Sequence, residues 1–215
     1  MTEDEYTQER KRMVAEQIAQ RGIRDPRLQA VMEALPRHRF VPPDHLDWAY
    51  ADGPLPIGFG QTISQPYIVA FMTDALHLTG PERVLEVGTG SGYQAAVLGK
   101  MAAEVHTVEF IPELAARAEA ALKELGFANV QVHVGDGSLG WPACAPYDAI
   151  LVAAAAPRVP QSLLEQLAEA GRLILPVGSQ GFQQLEIWEM RAGKYEQEPG
   201  IPVAFVPLRG EHGWK

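Results

Sequence analysis

From Arg83 onward, short apolar runs rich in β-branched residues alternate with segments of helical periodicity, and this alternation limits the possible folds more than any other feature of the chain. The runs are VLEVG, VHTVEF, VQVHVGD, YDAILVAAA and RLILPVG. Between them the spacing predicts an Ala-rich helix to about Ala103, a helix from Pro112 to Leu125 stopped by Gly126, and a helix from about Gln161 to Ala168. Strands this apolar must be covered on both faces, which calls for an α/β, doubly wound, mostly parallel sheet with right-handed crossovers. The rhythm then breaks. QLEIWEMR and PVAFVPLR are strand-like, and AGKYEQEPG between them is too short and polar for a crossover helix, so antiparallel edge strands are expected there.

The residues before this core read as additions to it. Met13, Val14, Ile18 and Ala19 fall at helical spacing among charges, giving an amphipathic helix from Glu3 to about Gln20 with Gly22 as its stop. Asp25-Pro26 opens a second helix through Leu35, closed by Pro36. From Val41 to Pro66 the texture turns to Pro, Gly and aromatics. So long a connector is usually functional, and Trp48, Tyr50, Leu55, Ile57 and Phe59 argue that it is ordered. A helix from about Gln65 to Leu78 should bury Ile68, Phe71, Met72, Ala75 and Leu76. The 215 residues suit a single domain: helices and a covering loop over 1–79, a ligand-binding core over 80–178, and edge strands over 179–215.

Charge and composition exclude several functions. Eighteen basic against 27 acidic residues leave a net charge of −9, the wrong sign for a general nucleic-acid binder. The charged N-terminus and the lack of any long apolar run predict a cytoplasmic protein with no membrane partner. The single cysteine, Cys144, reads as a packing or loop residue. The six histidines show no ligand spacing, so no metal is assigned. His106 and His133 lie in adjacent predicted strands and should pack as neighbours. Trp48, Trp141, Trp188 and Trp214 suit the core or rim better than stacking platforms.

Glu86-Val87-Gly88-Thr89-Gly90-Ser91-Gly92 lies where a strand passes into a helix, the place where a doubly wound sheet offers its ligand crevice. Tyr93 stands where a dinucleotide fingerprint needs its last glycine, and no Gly-Lys-Ser/Thr run exists for a phosphate loop. Three successive strands end in acids, Glu86, Glu109 and Asp136, and a strand-end carboxylate can accept the two hydroxyls of a ribose. Acids without a phosphate-binding lysine suit an adenosyl group joined to a cationic amino-acid tail, which describes S-adenosylmethionine better than NAD.

EVGTGSG, Glu109 and GDG resemble the motifs of class I S-adenosylmethionine-dependent methyltransferases, a Rossmann-like fold. The segment Ile57 to Pro66, containing Gln-Thr-Ile-Ser-Gln-Pro, resembles the protein-L-isoaspartate O-methyltransferase family far more specifically, as do GDGSLGW at 135–141, LLEQL and the closing FVPL. The resemblance implies a repair enzyme that methylates the free α-carboxylate of L-isoaspartyl, and by extension D-aspartyl, residues in damaged peptides and proteins, the ester then collapsing to a succinimide. The spent product is S-adenosyl-L-homocysteine. It assigns Glu86, Gly88, Thr89, Gly90, Ser91, Gly92, Glu109, Phe110, Asp136 and Gly137 to the cofactor, Ser64 to catalysis, and Thr62, Ile63, Ser64, Val206 and Leu208 to the peptide, with a monomer or weak oligomer expected.

A substrate carboxylate is already ionised at neutral pH and needs no general base, so the lack of a catalytic His is consistent. Ser64 is the candidate donor that fixes the attacking oxygen, although a Ser before Gln65-Pro66 is also an attractive helix cap. Two positions depart from relatives: Val69 replaces a His found in some of them, and Ala153 replaces a hydroxyl residue. On the glycine loop alone, a methyltransferase for small molecules or RNA, or a non-catalytic nucleoside binder, would also fit. The Thr62 to Pro66 segment argues against both.

Overall fold

The computed structural model describes residues 1–179 and 181–214. Helix α1 (Glu3–Met13) is opened by a reciprocal cap between Thr2 and Glu5, then loosens into a π turn over Val14–Ile18 before Gly22 ends it in the left-handed conformation. Met13, Val14 and Ile18 are buried, as the periodicity requires. Helix α2 (Pro26–Ala34) starts at Asp25, whose carboxylate accepts the Arg27 amide. The long Pro/Gly-rich connector is ordered. It contains one 3-10 helix, Pro43–Trp48, and a hairpin of β1 (Leu55–Gly58) and β2 (Gln61–Ile63), which leads into α3 (Pro66–Asp74).

The core continues as β3 (Arg83–Val87), α4 (Tyr93–Met101), β4 (Glu104–Glu109), α5 (Pro112–Glu124), β5 (Val130–Val134), β6 (Tyr147–Val152), α6 (Gln161–Leu164), β7 (Leu167–Ser179), β8 (Phe182–Arg191) and β9 (Lys194–Val203). Among the described residues β3 to β9 form one seven-stranded sheet in the order β5-β4-β3-β6-β7-β8-β9. Pairings from β5 through β7 are parallel and the last two are antiparallel, which is the expected architecture. Strand order reverses between β3 and β6, so the turn after β3 opens at the switch point of the sheet.

Four expectations are corrected. The helix expected to run to Ala168 stops after one turn at Leu164. Gln166 ends it: its Nε2 donates to the carbonyls of Leu139 and Ser162, its Oε1 accepts the Trp141 amide, and its carbonyl accepts the Tyr147 amide. These tertiary bonds outweigh local helix propensity. The segment expected to separate two edge strands is mostly β9 itself, because Ala192 (φ 50°) and Gly193 (φ 74°) make a two-residue hairpin turn directly after β8. Val206 and Leu208, expected on that second edge strand, therefore lie beyond it. Their segment is bridged to Ala155, whose amide donates to the Val206 carbonyl and whose carbonyl accepts the Leu208 amide, each at 2.8 Å. Finally, the helix expected to run to Leu78 ends as α3 at Asp74; it buries Val69, Ala70, Met72 and Thr73, Leu76 is buried beyond its end, and Ile68, Phe71 and Ala75 are only half-buried. Ile68 faces a groove where uniform packing against the core was expected.

Candidate active site

Three left-handed glycines shape the turn after β3: Gly88 (φ 94°), Gly90 (φ 54°) and Gly92 (φ 87°). A side chain at any of them would be strained, and one at Gly92 would also press on Ala118 of α5 at 3.1 Å. The turn is braced from the neighbouring strand. Glu109, at the end of β4, accepts the Gly90 amide on Oε2 at 2.8 Å and the Ile111 amide on Oε1 at 3.0 Å. Gly88, Thr89, Gly90, Ser91, Glu109, Phe110 and Gly137 all line one cavity, and Phe110 is exposed beside it.

The other two strand-end acids are placed differently. Glu86 is fully buried and is not part of the cavity lining. Its Oε2 accepts the Thr107 hydroxyl, which is 2.6 Å from that of Thr89, and its Oε1 has no partner among the described residues. Burial, reinforced by the charge of Glu109, pushes this carboxyl up to about 8 against the Thr107 hydrogen bond. Asp136 also stands off the cavity. Its Oδ1 accepts the amide and hydroxyl of Ser138, and its Oδ2 accepts the Glu211 amide at 2.8 Å. The carboxylate thus ties the turn before Gly137 to the C-terminal segment, where Trp214 Nε1 donates to the Ala155 carbonyl. Gly92 is buried at the start of α4 and acts through backbone shape.

The hairpin of β1 and β2 lies over the glycine turn, bringing Ile57 within contact distance of Gly90. Thr62, Ile63 and Ser64 join the cavity from this side, and Val206 and Leu208 close it from the C-terminal segment. A second, larger groove runs outward between α3 and the β7–β8 and β9 ends, lined by Ile68, Phe182, Gln183, Val203 and Phe205 among others. Thr62, Ser64, Ala153 and Val206 line both spaces and form the boundary between them.

The helix-cap reading of Ser64 is overturned. Helix α3 starts one residue later than that cap requires, at Pro66, with Gln65 in the cap position and no capping side chain. Pro66 has no amide hydrogen to give. Among the described residues the Ser64 hydroxyl forms no hydrogen bond, and it stands at the boundary of the two spaces. Val69, where some relatives carry a His, is buried and lines the inner cavity.

Sequence reasoning missed Gln61, Tyr93, Gln94 and Arg209, which also line the cavity. Tyr93-Gln94 directly follow the glycine turn, so their place was available from the motif. Arg209 follows Leu208, but only the bend of the chain back to Ala155 brings it in.

The arrangement can be compared with known proteins. The family profile described as protein-L-isoaspartate(D-aspartate) O-methyltransferase matches residues 8–213. A protein-L-isoaspartate O-methyltransferase of Methanoregula boonei is 55% identical over 207 residues, covering 96% of this chain and 95% of that protein. Another, of Anaeromyxobacter dehalogenans, is 60% identical over 190 residues, covering 87% and 91%. Among solved structures, a protein-L-isoaspartate O-methyltransferase superposes with a TM-score of 0.85 at 27% identity, covering 95% of this chain and 67% of that one. A putative homologue from Plasmodium falciparum, in complex with S-adenosyl-L-homocysteine, superposes at 0.82 with 25% identity, covering 93% and 98%. By family profile, sequence identity over nearly its whole length and fold, this chain belongs to the protein-L-isoaspartate(D-aspartate) O-methyltransferase family.

Proposed function

We propose that the inner cavity holds S-adenosylmethionine, that the outer groove holds an isoaspartyl peptide, and that Ser64 orients the reacting carboxylate where the two meet. The enzyme is a protein-repair methyltransferase that esterifies the free α-carboxylate of L-isoaspartyl residues. The residues present fit the cofactor. A backbone cradle of three left-handed glycines admits close approach, and Glu109 turns a carboxylate to the cavity. When bound, S-adenosylmethionine supplies a methyl group on a positively charged sulfur.

The residues divide the remaining work. Glu109 keeps lone pairs free for ribose hydroxyls while its two amide contacts hold the turn in shape. Gly137, Thr89, Ser91 and Phe110 complete the walls around the adenosyl group, and Asp136 acts by fixing the Gly137 turn. Ser64 donates its hydroxyl hydrogen to the substrate carboxylate and points the other oxygen at the methyl group. Thr62, Ile63, Val206 and Leu208 bound the space that oxygen occupies. No proton has to be removed, because the acceptor is an anion when it binds, so orientation is the main contribution. Holding reactants in line is worth about 7 to 11 kcal/mol in favourable cases.

One observation carries this reading: Ser64, whose hydroxyl forms no hydrogen bond among the described residues, is one of the four residues common to both spaces. The same reading extends to D-aspartyl residues, to action in the cytoplasm, and to a monomer or weak oligomer working as one domain. No helix among the described residues is long and apolar enough to cross a membrane. The test is transfer of labelled methyl to an isoaspartyl peptide beside its aspartyl twin. Base-labile label on the isoaspartyl peptide alone is expected, and its loss in folded Ser64→Ala that still binds S-adenosylhomocysteine assigns the residue. Equal labelling of both peptides, or undiminished turnover in the variant, would overturn the reading.

A further inference from the structure

Arg37 is an unusual residue to find beneath this site. It follows Pro36 in a 3-10 turn and is fully buried. Its Nε donates to the Ala49 carbonyl and its Nη2 to the Ser64 carbonyl, each at 2.8 Å. The guanidinium carbon lies 4.9 Å from the centre of the Tyr93 ring, and Nη1 has no partner among the described residues. No carboxylate among the described residues pairs with it. Burial pushes the group down to about 10, still well above neutral pH, so a lone cation sits in the interior.

Such a charge is costly to bury, and an apolar side chain of similar volume would fill the space more cheaply. What that side chain could not do is hold two carbonyls and an aromatic face at once. The guanidinium is a planar fork whose donors have fixed directions. Its three contacts belong to three parts of the site: the connector at Ala49, the backbone of Ser64, and Tyr93, the first residue of α4 after the glycine turn. The distance between Ser64 and the cofactor turn is therefore spanned by one rigid group.

We propose that Arg37 is a positioning residue for methyl transfer, holding Ser64 in register with the glycine turn through its carbonyl. This rests on the role given to Ser64 above. A displacement of about 1 Å at such a point can cost on the order of a hundredfold in rate.

The experiment is a double-mutant cycle on the full-length enzyme, with Ser64→Ala, Arg37→Met, Arg37→Lys and the combined variants. It reads kcat and KM for an isoaspartyl peptide and the Kd for S-adenosylhomocysteine. Arg37→Met should lower kcat at least tenfold while the Kd stays within about twofold. Arg37→Lys should recover part of the loss, since an ammonium reaches one carbonyl but not both. In a Ser64→Ala background either Arg37 change should have little further effect, because both act on one interaction. Should Arg37→Met not fold, Arg37→Lys carries the cycle by itself. Losses that multiply independently, or a lowered Tm with kcat unchanged, would overturn the positioning role and leave Ser64 intact. A silent Ser64→Ala would instead remove the Ser64 reading and this inference with it.

Discussion

The amide of Gly90 donates to Glu109 Oε2 at 2.8 Å, so the glycine turn is held from the next strand by the same carboxylate that faces the cavity. Glu109→Ala should therefore lose both a ligand contact and the shape of the turn. Hydrogen bonds to a charged group are worth about 1.5–3 kcal/mol, or roughly ten- to a hundredfold in affinity. Calorimetric titration with S-adenosylhomocysteine should show at least a tenfold weaker Kd, and thermal melts a lower Tm, because the Gly90 and Ile111 amides lose their acceptor.

Gly210 (φ 119°) packs so closely on Asp136 that a methyl group there would be driven into the carboxylate. Gly210→Ala should release the C-terminal segment from Asp136 and Ala155, lowering Tm by several degrees and weakening cofactor binding. Gly53→Ala, at a glycine of ordinary φ with open space around it, is the control and should stay within about 0.5 kcal/mol of the parent.

Since Ser64 caps no helix, Ser64→Ala should cost well under the roughly 1 kcal/mol that a lost cap entails. Urea midpoints of the two proteins should coincide within error while their turnover separates.

Glu86 gives stability an unusual pH dependence. Its carboxyl, pushed up to about 8 in the fold against the ordinary value of 4.5, keeps its proton where the unfolded chain has released it. Its contribution is thus fully present below about pH 4.5 and is lost as pH rises toward 8. Glu86→Gln should be more stable than the parent at pH 8, with a gap that shrinks by pH 5. Thermal melts at the two values check the sign.

Histidines act in the opposite direction. His106 Nδ1 lies 3.0 Å from His133 Nε2, and His133 stacks on Trp141 with ring centres 4.2 Å apart. Burial, then the neighbouring His106, holds His133 below its usual range, and burial does the same for His38. The unfolded chain then takes up protons first as pH falls through about 6.5, so stability declines below that point. His133→Gln should flatten the decline between pH 6.5 and 5 in denaturant titrations. An unchanged slope would assign it to other groups.

How far the sequence foretold this protein depends on how local each signal was. Alternating apolar runs placed β3 to β7 in a mostly parallel sheet, since burial on both faces is written in composition, but they did not reveal the order of the strands. Gly88, Gly90 and Gly92 marked their turn because only glycine suits its backbone. The fates of Glu86 and Asp136 were not legible, since a strand-end acid looks alike whether it faces a ligand, a threonine or the chain terminus. Gln166 stopped α6 through partners distant in sequence, whereas the turn at Ala192-Gly193 was visible and passed over. Arg37 lay hidden among the surface-like charges of Arg37-His38-Arg39, because nothing local announces that one of them is fully buried.

The outer groove is lined by Pro54, Gln65, Ile68, Phe182, Gln183 and Phe205 with other neutral residues, and among the described residues no ionisable side chain lines it. Age damages proteins at whatever asparagine or aspartate happens to be exposed, so a caretaker of the proteome meets its lesions in unpredictable surroundings. A neutral trough makes no electrostatic demand on the flanking residues. In the proposed reading, recognition falls to the free α-carboxylate of the isoaspartyl residue, the one feature that every such site shares.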